Sequence, residues 1–169
     1  VGDSITALSA DDIRDLLGGQ YRVSLRAVPG ARSIDMGEFA TQLAAERPTQ
    51  AVINLGSNDA LKGTDLDDTR ASLTSMIETF TTARCIHLVT IKAGMVSNIY
   101  GDVSKQAEGI NALLKELAAG DDRISIIDWA GIVADQPDLV DDTIHPTDEG
   151  QRRLVEAIGD ALEDCPRNG

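Results

Sequence analysis

The sequence predicts an α/β fold of three layers, with a central parallel sheet between two layers of helices. Three observations carry this. Apolar residues occur in strand-sized runs ended by Gly, Pro or polar turn residues. Between those runs they recur at helical spacing. Three short polar motifs stand in fixed order: Gly2-Asp3-Ser4 at the start, Gly56-Ser57-Asn58-Asp59 after an apolar run in the middle, and Asp142-Thr143-Ile144-His145 near the end.

Taken in order, Ala10–Leu17 reads as a short helix that stops at Gly18-Gly19. Tyr21–Val28 reads as a strand ended by Pro29-Gly30. Met36, Phe39, Ala40, Leu43 and Ala44 line one face of a second helix, which ends before Pro48. Gln50–Leu55 is a short buried strand. Leu66, Leu73, Ile77 and Phe80 line a third helix. Cys85–Ile91 is a strand, followed by Lys92-Ala93-Gly94. Val103, Ala107, Ile110, Leu114 and Leu117 line a fourth helix, which stops at Gly120. Ile124–Asp128 is the last strand. Leu154, Val155, Ile158, Ala161 and Leu162 line the last helix, capped at Thr147. In such a fold a strand precedes the loop that carries Ser4. Here it would end at Val1, so this first strand is largely missing, and the natural chain is expected to extend upstream by at least about 6 residues.

A chain of 169 residues is expected to form one domain, 1–169. Aromatic residues make up only 3% of it, so Leu, Ile, Val and Ala must build the core. No run approaches the roughly 18 apolar residues of a membrane helix, so no membrane span is expected. The net charge of −13 disfavours nucleic acid and anionic membranes as partners. Cys85 and Cys165 lack metal-ligand spacing, so no metal is expected. Cys85 opens a strand, and Cys165 ends a helix running back from the opposite edge. A Cys85–Cys165 disulfide is therefore a hypothesis, and it would favour a secreted protein over a cytoplasmic one.

In open parallel sheets, ligands bind beyond the carboxyl ends of the strands. That rule brings Ser4, Gly30, Asn58, Asp142 and His145 to one edge. Ser4 is the candidate nucleophile, and a serine hydroxyl needs a base to take its proton. The chain has two histidines. His145 lies in a loop at this edge, whereas His87 lies inside a strand and reads as structural. Pro146 places His145 on extended backbone just before the last helix. Asp142, three residues earlier, suits the imidazole Nδ1–H, with Asp141 as its competitor. The N–H groups of Ser4 and Gly30 and the Asn58 amide are candidate oxyanion donors. Gly30 also reads as an ordinary turn glycine, and Gly56–Asp59 as an ordinary turn. Asp3 and Asp59 are candidate supports, Asp59 by tying the nucleophile loop to the Asn58 loop. Met95, Val96, Ile99 and Tyr100 line either a substrate pocket or an irregular loop with an apolar anchor. Trp129 reads as core packing.

These motifs, quoted as Val-Gly-Asp-Ser-Ile-Thr, Val-Pro-Gly-Ala-Arg-Ser, Leu-Gly-Ser-Asn-Asp and Asp-Thr-Ile-His-Pro-Thr, resemble the four blocks of the SGNH (GDSL-type) hydrolases. The resemblance spans Gly2 to about Gly150 and maps the Ser, Gly, Asn and His of the family name onto Ser4, Gly30, Asn58 and His145. It implies a flavodoxin-like fold and hydrolysis of esters or thioesters of small molecules through an acyl-serine, with no cofactor. The elbow G-x-S-x-G is absent, because Ile5-Thr6 follows Ser4. A carbohydrate O-deacetylase and an acyltransferase would use the same parts. A non-catalytic binding domain on the same fold is the alternative of another class.

Overall fold

The computed structural model describes residues 1–166. Its elements are α1 (Ser4–Leu8), α2 (Ala10–Leu17), α3 (Gly37–Ala45), β1 (Gln50–Ile53), α4 (Ser57–Leu61), α5 (Leu66–Thr79), β2 (Cys85–Val89), β3 (Val96–Ser97), β4 (Gly101–Asp102), α6 (Ser104–Gly120), β5 (Ile124–Ile127), α7 (Trp129–Asp135) and α8 (Asp148–Glu163). The strands β1, β2 and β5 form a parallel sheet in that order. β3 and β4 form a small separate antiparallel hairpin.

The period-2 alternation of each strand sends its side chains to two different layers. Ala51, Ile53, Ile86, Leu88 and Ile124 face the core shared with α3, α5 and α6. Val89 and Ile127 face the core shared with α1, α2, α7 and α8. Helix starts follow their side-chain caps. Asp65 accepts from the Asp67 N–H at the start of α5, Asp128 from the Gly131 N–H at α7, and Thr147 from the Gly150 N–H at α8.

The expected strand at Tyr21–Val28 does not form. Within this segment only Ala27 is bridged, in parallel, to Gly2. The Gly2 N–H donates to Arg26 O at 3.0 Å, and the Val28 N–H donates to Gly2 O at 3.0 Å. On its other side Gly2 is bridged to Asn54, whose N–H donates to Val1 O at 3.0 Å. Val1 and Gly2 thus stand where a strand would run between this segment and β1. Among the described residues, 21–25 enter no strand pairing, and a strand exists only as one side of a pair.

The amino end of the sheet is closed by polar and covalent links. The Cys85–Cys165 disulfide is formed, with the two Cα atoms 6.0 Å apart, and it ties the end of α8 to the start of β2. His87 is buried on the same face. Its Nε2 lies 3.0 Å from Gln50 Oε1 and its Nδ1 2.7 Å from Ser125 Oγ. A neutral ring that donates from Nε2 and accepts at Nδ1 satisfies both contacts. Gln50 in turn donates to Leu162 O on α8 at 3.2 Å. Burial lowers the His87 pKa, in keeping with a neutral imidazole. Trp129 is fully buried in the core beside α8. Among the described residues, no helix is long and apolar enough to cross a membrane.

Candidate active site

At the carboxyl edge, the loop after Gly2 turns at once into α1, so Ser4 is the first helical residue. Asp3 caps the helix by accepting the Ile5 N–H at 3.0 Å. As the first helical residue, Ser4 has no carbonyl one turn behind it to receive its own N–H. Its hydroxyl stands 3.1 Å from His145 Nε2. His145 Nδ1 stands 2.8 Å from Asp142 Oδ2. With the Nδ1 proton directed at the carboxylate, Nε2 presents its lone pair to the Ser4 hydroxyl.

Asp142 also folds the loop that presents the imidazole. Its Oδ1 accepts the Ile144 N–H at 2.7 Å and the His145 N–H at 2.8 Å, an Asx turn that spaces carboxylate and ring correctly. Burial works against its charge, but the backbone and imidazole hydrogen bonds outweigh it and hold the carboxyl down at about 2. A bridge between Val140 and Pro146 closes the loop, and Thr147 starts α8 directly behind it. Asp141, the competitor, gives its backbone N–H to His145 O at 3.1 Å and makes no side-chain contact with the ring.

Asn58 sits in α4, a five-residue helix where the sequence suggested only a turn. The helix is set off by Gly56, whose φ of +121° suits only glycine and where a Cβ would come within 2.9 Å of Ile110. The Asn58 amide donates one N–H to Asp3 Oδ2 at 3.1 Å, which leaves its second N–H free of that bond. Burial pushes the Asp3 carboxyl up to about 6, against the hydrogen bonds from the Ile5 N–H and Asn58 that favour its charge. Asp3 is therefore the link between the Ser4 loop and Asn58.

Asp59, expected in that role, does something else. It is fully buried and accepts the Ser33 N–H at 2.9 Å and the Ser33 hydroxyl at 2.6 Å. It ties α4 to the segment after Gly30 instead of to the nucleophile loop. Gly30 takes φ +77° in a turn closed by the Ala31 N–H donating to Val28 O at 3.0 Å. A positive φ at that position marks a type II turn, and closing the turn does not use the Gly30 N–H. Ser33 and the Lys62 ammonium, which donates to Gly30 O at 2.6 Å, carried no sequence signal of their own.

The segment after β2 divides. Met95 is fully buried and belongs to the core shared with α3, α5 and α6. Val96, Ile99 and Tyr100 are exposed. The Ser97 hydroxyl anchors the segment by donating to Leu61 O at 2.6 Å and accepting the Ile99 and Tyr100 N–H groups. Among the described residues, no group of three His, Cys, Asp or Glu side chains is placed to hold a metal ion.

With this geometry in place, the sequence matches the model of the GDSL-like lipase/acylhydrolase family over residues 1–153. The chain belongs to this family. It is accordingly a hydrolase acting on ester bonds, and its family implies a small-molecule ester substrate. A GDSL-like lipase from Bacteroides thetaiotaomicron shares the fold with a TM-score of 0.85 at 20% identity, over 98% of this chain and 86% of that one. TesA superposes with a TM-score of 0.79 at 25% identity, over 98% and 97%. An acetyl xylan esterase does so with a TM-score of 0.80 at 16% identity, over 95% and 96%. A comparison with curated proteins found no match. The three layers and the parallel sheet are thus those of the GDSL fold.

Proposed function

We propose that this GDSL-family hydrolase cleaves carboxylic esters or thioesters through an acyl-serine intermediate, using Ser4, His145 and Asp142 within a single domain. The observation that carries this is the unbroken relay from Ser4 Oγ to His145 Nε2 at 3.1 Å and from His145 Nδ1 to Asp142 Oδ2 at 2.8 Å. Ser4 Oγ attacks the acyl carbon as His145 Nε2 takes its proton. Asp142 holds the tautomer and stabilises the imidazolium. The tetrahedral oxyanion is met by the N–H groups of Ser4 and Gly30 and by the Asn58 amide. His145 then protonates the leaving alcohol or thiol, and the acyl–Ser4 ester remains. Water gives a proton to His145 and adds to that ester. The second tetrahedral intermediate collapses, His145 returns the proton to Ser4 Oγ, and the acid leaves.

The single-domain reading is supported by both cores packing on the same sheet. The disulfide supports work in an oxidising compartment. The test is turnover of p-nitrophenyl acetate, butyrate and octanoate beside Ser4→Ala, with a fluorophosphonate as the covalent probe. Ser4-dependent turnover and labelling of Ser4 are the expected result. Absence of both would sink the serine mechanism.

A further inference from the structure

We infer that Lys62 is a positioning residue that sets the spacing between the two oxyanion donors lying outside the nucleophile loop, Gly30 and Asn58. This rests on the serine-hydrolase reading above. The two donors come from segments 28 residues apart in sequence, and nothing in either segment alone fixes their separation. Lys62 touches both. Its backbone N–H donates to Asn58 O at 3.0 Å, and its ammonium donates to Gly30 O at 2.6 Å. Among the described residues, the Gly30 carbonyl accepts from no other group.

The rest of the Gly30 loop is held differently. Asp59 grips Ser33 in a fully buried contact, three residues beyond Gly30. The half-exposed turn that carries the Gly30 N–H is held upstream by the Val28 N–H donating to Gly2 O at 3.0 Å, which leaves the Gly30 carbonyl itself to be fastened. Lys62 supplies that fastening. The charged neighbours of its ammonium are Asp35, which lies within its electrostatic reach, and Arg32, which is paired with Asp35. Asp35 is engaged by Arg32 through side chain and backbone, so the ammonium is left to Gly30.

The energetics separate this role from ordinary structural support. A single exposed hydrogen bond adds little to stability. Oxyanion donors work only when held at the right place before the charge develops, and small misplacements lower the rate. Loss of the Lys62 tether should therefore show in kcat and leave folding almost unchanged.

The experiment compares Lys62→Met, which keeps the aliphatic stem, with Lys62→Arg, which restores an N–H donor. Lys62→Met should lower kcat on p-nitrophenyl acetate by about 10-fold, with KM changed by less than about two-fold and Tm shifted by less than about 2 °C. Lys62→Arg should recover most of the rate. A second reading needs no turnover. The backbone order parameter of Gly30, from amide relaxation, should drop from about 0.85 towards 0.6 in Lys62→Met and recover in Lys62→Arg. An unchanged order parameter, or a kcat within about two-fold of the parent, would overturn the inference. Failure of the serine-hydrolase reading shows separately, as parent turnover that survives Ser4→Ala, and the order parameter still decides the role of Lys62.

Discussion

In the middle of β2, His87 is 2% exposed and both its ring nitrogens meet neutral partners, Gln50 and Ser125. At the other end of the sheet, His145 keeps 40% of its side chain exposed, and its ring lies between a carboxylate and a hydroxyl. Both histidines have partners on both nitrogens, so being hydrogen-bonded does not distinguish them. Charge does. Only His145 has an anion on Nδ1 to compensate a proton gained at Nε2, and only His145 is open to a substrate. The same side chain is a cross-strand brace in one place and a candidate base in the other.

The sharpest way to break this comparison is to delete each ring. In His145→Ala, kcat/KM should fall by about 10⁴-fold or more, with little change in the melting curve. In His87→Ala, kcat/KM should stay within about three-fold, while urea unfolding shows a loss of roughly 2 kcal/mol from the unpaired Gln50 and Ser125 and the cavity left behind. A turnover loss in His87→Ala without destabilisation would end the contrast. Asp142→Asn comes next. It keeps the shape of the Asx turn but removes the anion, and it should lower kcat by roughly 10³-fold as the tautomer is lost. Steady-state rates beside a melting curve would read it, and a rate near that of the parent would transfer the orienting role to another group.

The covalent half of the amino end gives a smaller expectation. The disulfide spans 80 residues of sequence, and replacing both Cys85 and Cys165 by Ala should cost about 2–4 kcal/mol in denaturant unfolding. The kcat of the folded protein should hold, because the bond lies at the far end of α8 from His145.

The smallest effect is in pH dependence, where the two ends have opposite signs. Asp3 has a folded pKa of about 6, above the unfolded value of about 3.9. Its proton-linked stability is full below the unfolded value and is lost as pH rises through 6. His87 is lowered in the fold from an unfolded value near 6.5. Its contribution is full above that value and is lost as pH falls towards the folded one. The two oppose each other around pH 5 to 6. Removing one unmasks the other. Asp3→Asn should lose roughly 1 kcal/mol more than the parent between pH 7 and pH 5. Equal slopes in urea unfolding at the two pH values would show that Asp3 does not titrate in this range.

Much of the fold was legible because its periods are long enough to read. The apolar stripes of α3, α5, α6 and α8 and the runs of β1, β2 and β5 each repeat several times, and caps such as Thr147 mark their starts. Two five-residue helices, α1 and α4, were not legible. They offer barely one turn of period, and Gly56-Ser57-Asn58-Asp59 is made of turn formers that tertiary contacts hold helical. The Tyr21–Val28 run had a strand-like composition but pairs only at its end, where Ala27 meets Gly2, and composition cannot report neighbours. At the site, residue types and order pointed to Ser4, Asn58, Asp142 and His145. The partners of the two acids were hidden by sequence distance. Asp3 meets Asn58 across 55 residues and Asp59 meets Ser33 across 26. Nothing local distinguishes those pairings from their reverse.

Gly56 carries a consequence for how the protein can vary. Any side chain there would combine an unfavourable φ with a Cβ pressed against Ile110. In a saturation mutational scan, position 56 should be an empty column because the variants misfold, two residues from an Asn58 column that empties while its variants still fold. One four-letter motif is then constrained by two separate kinds of selection. Evolution can relax the second wherever the chemistry is surrendered, but the first persists for as long as the fold does.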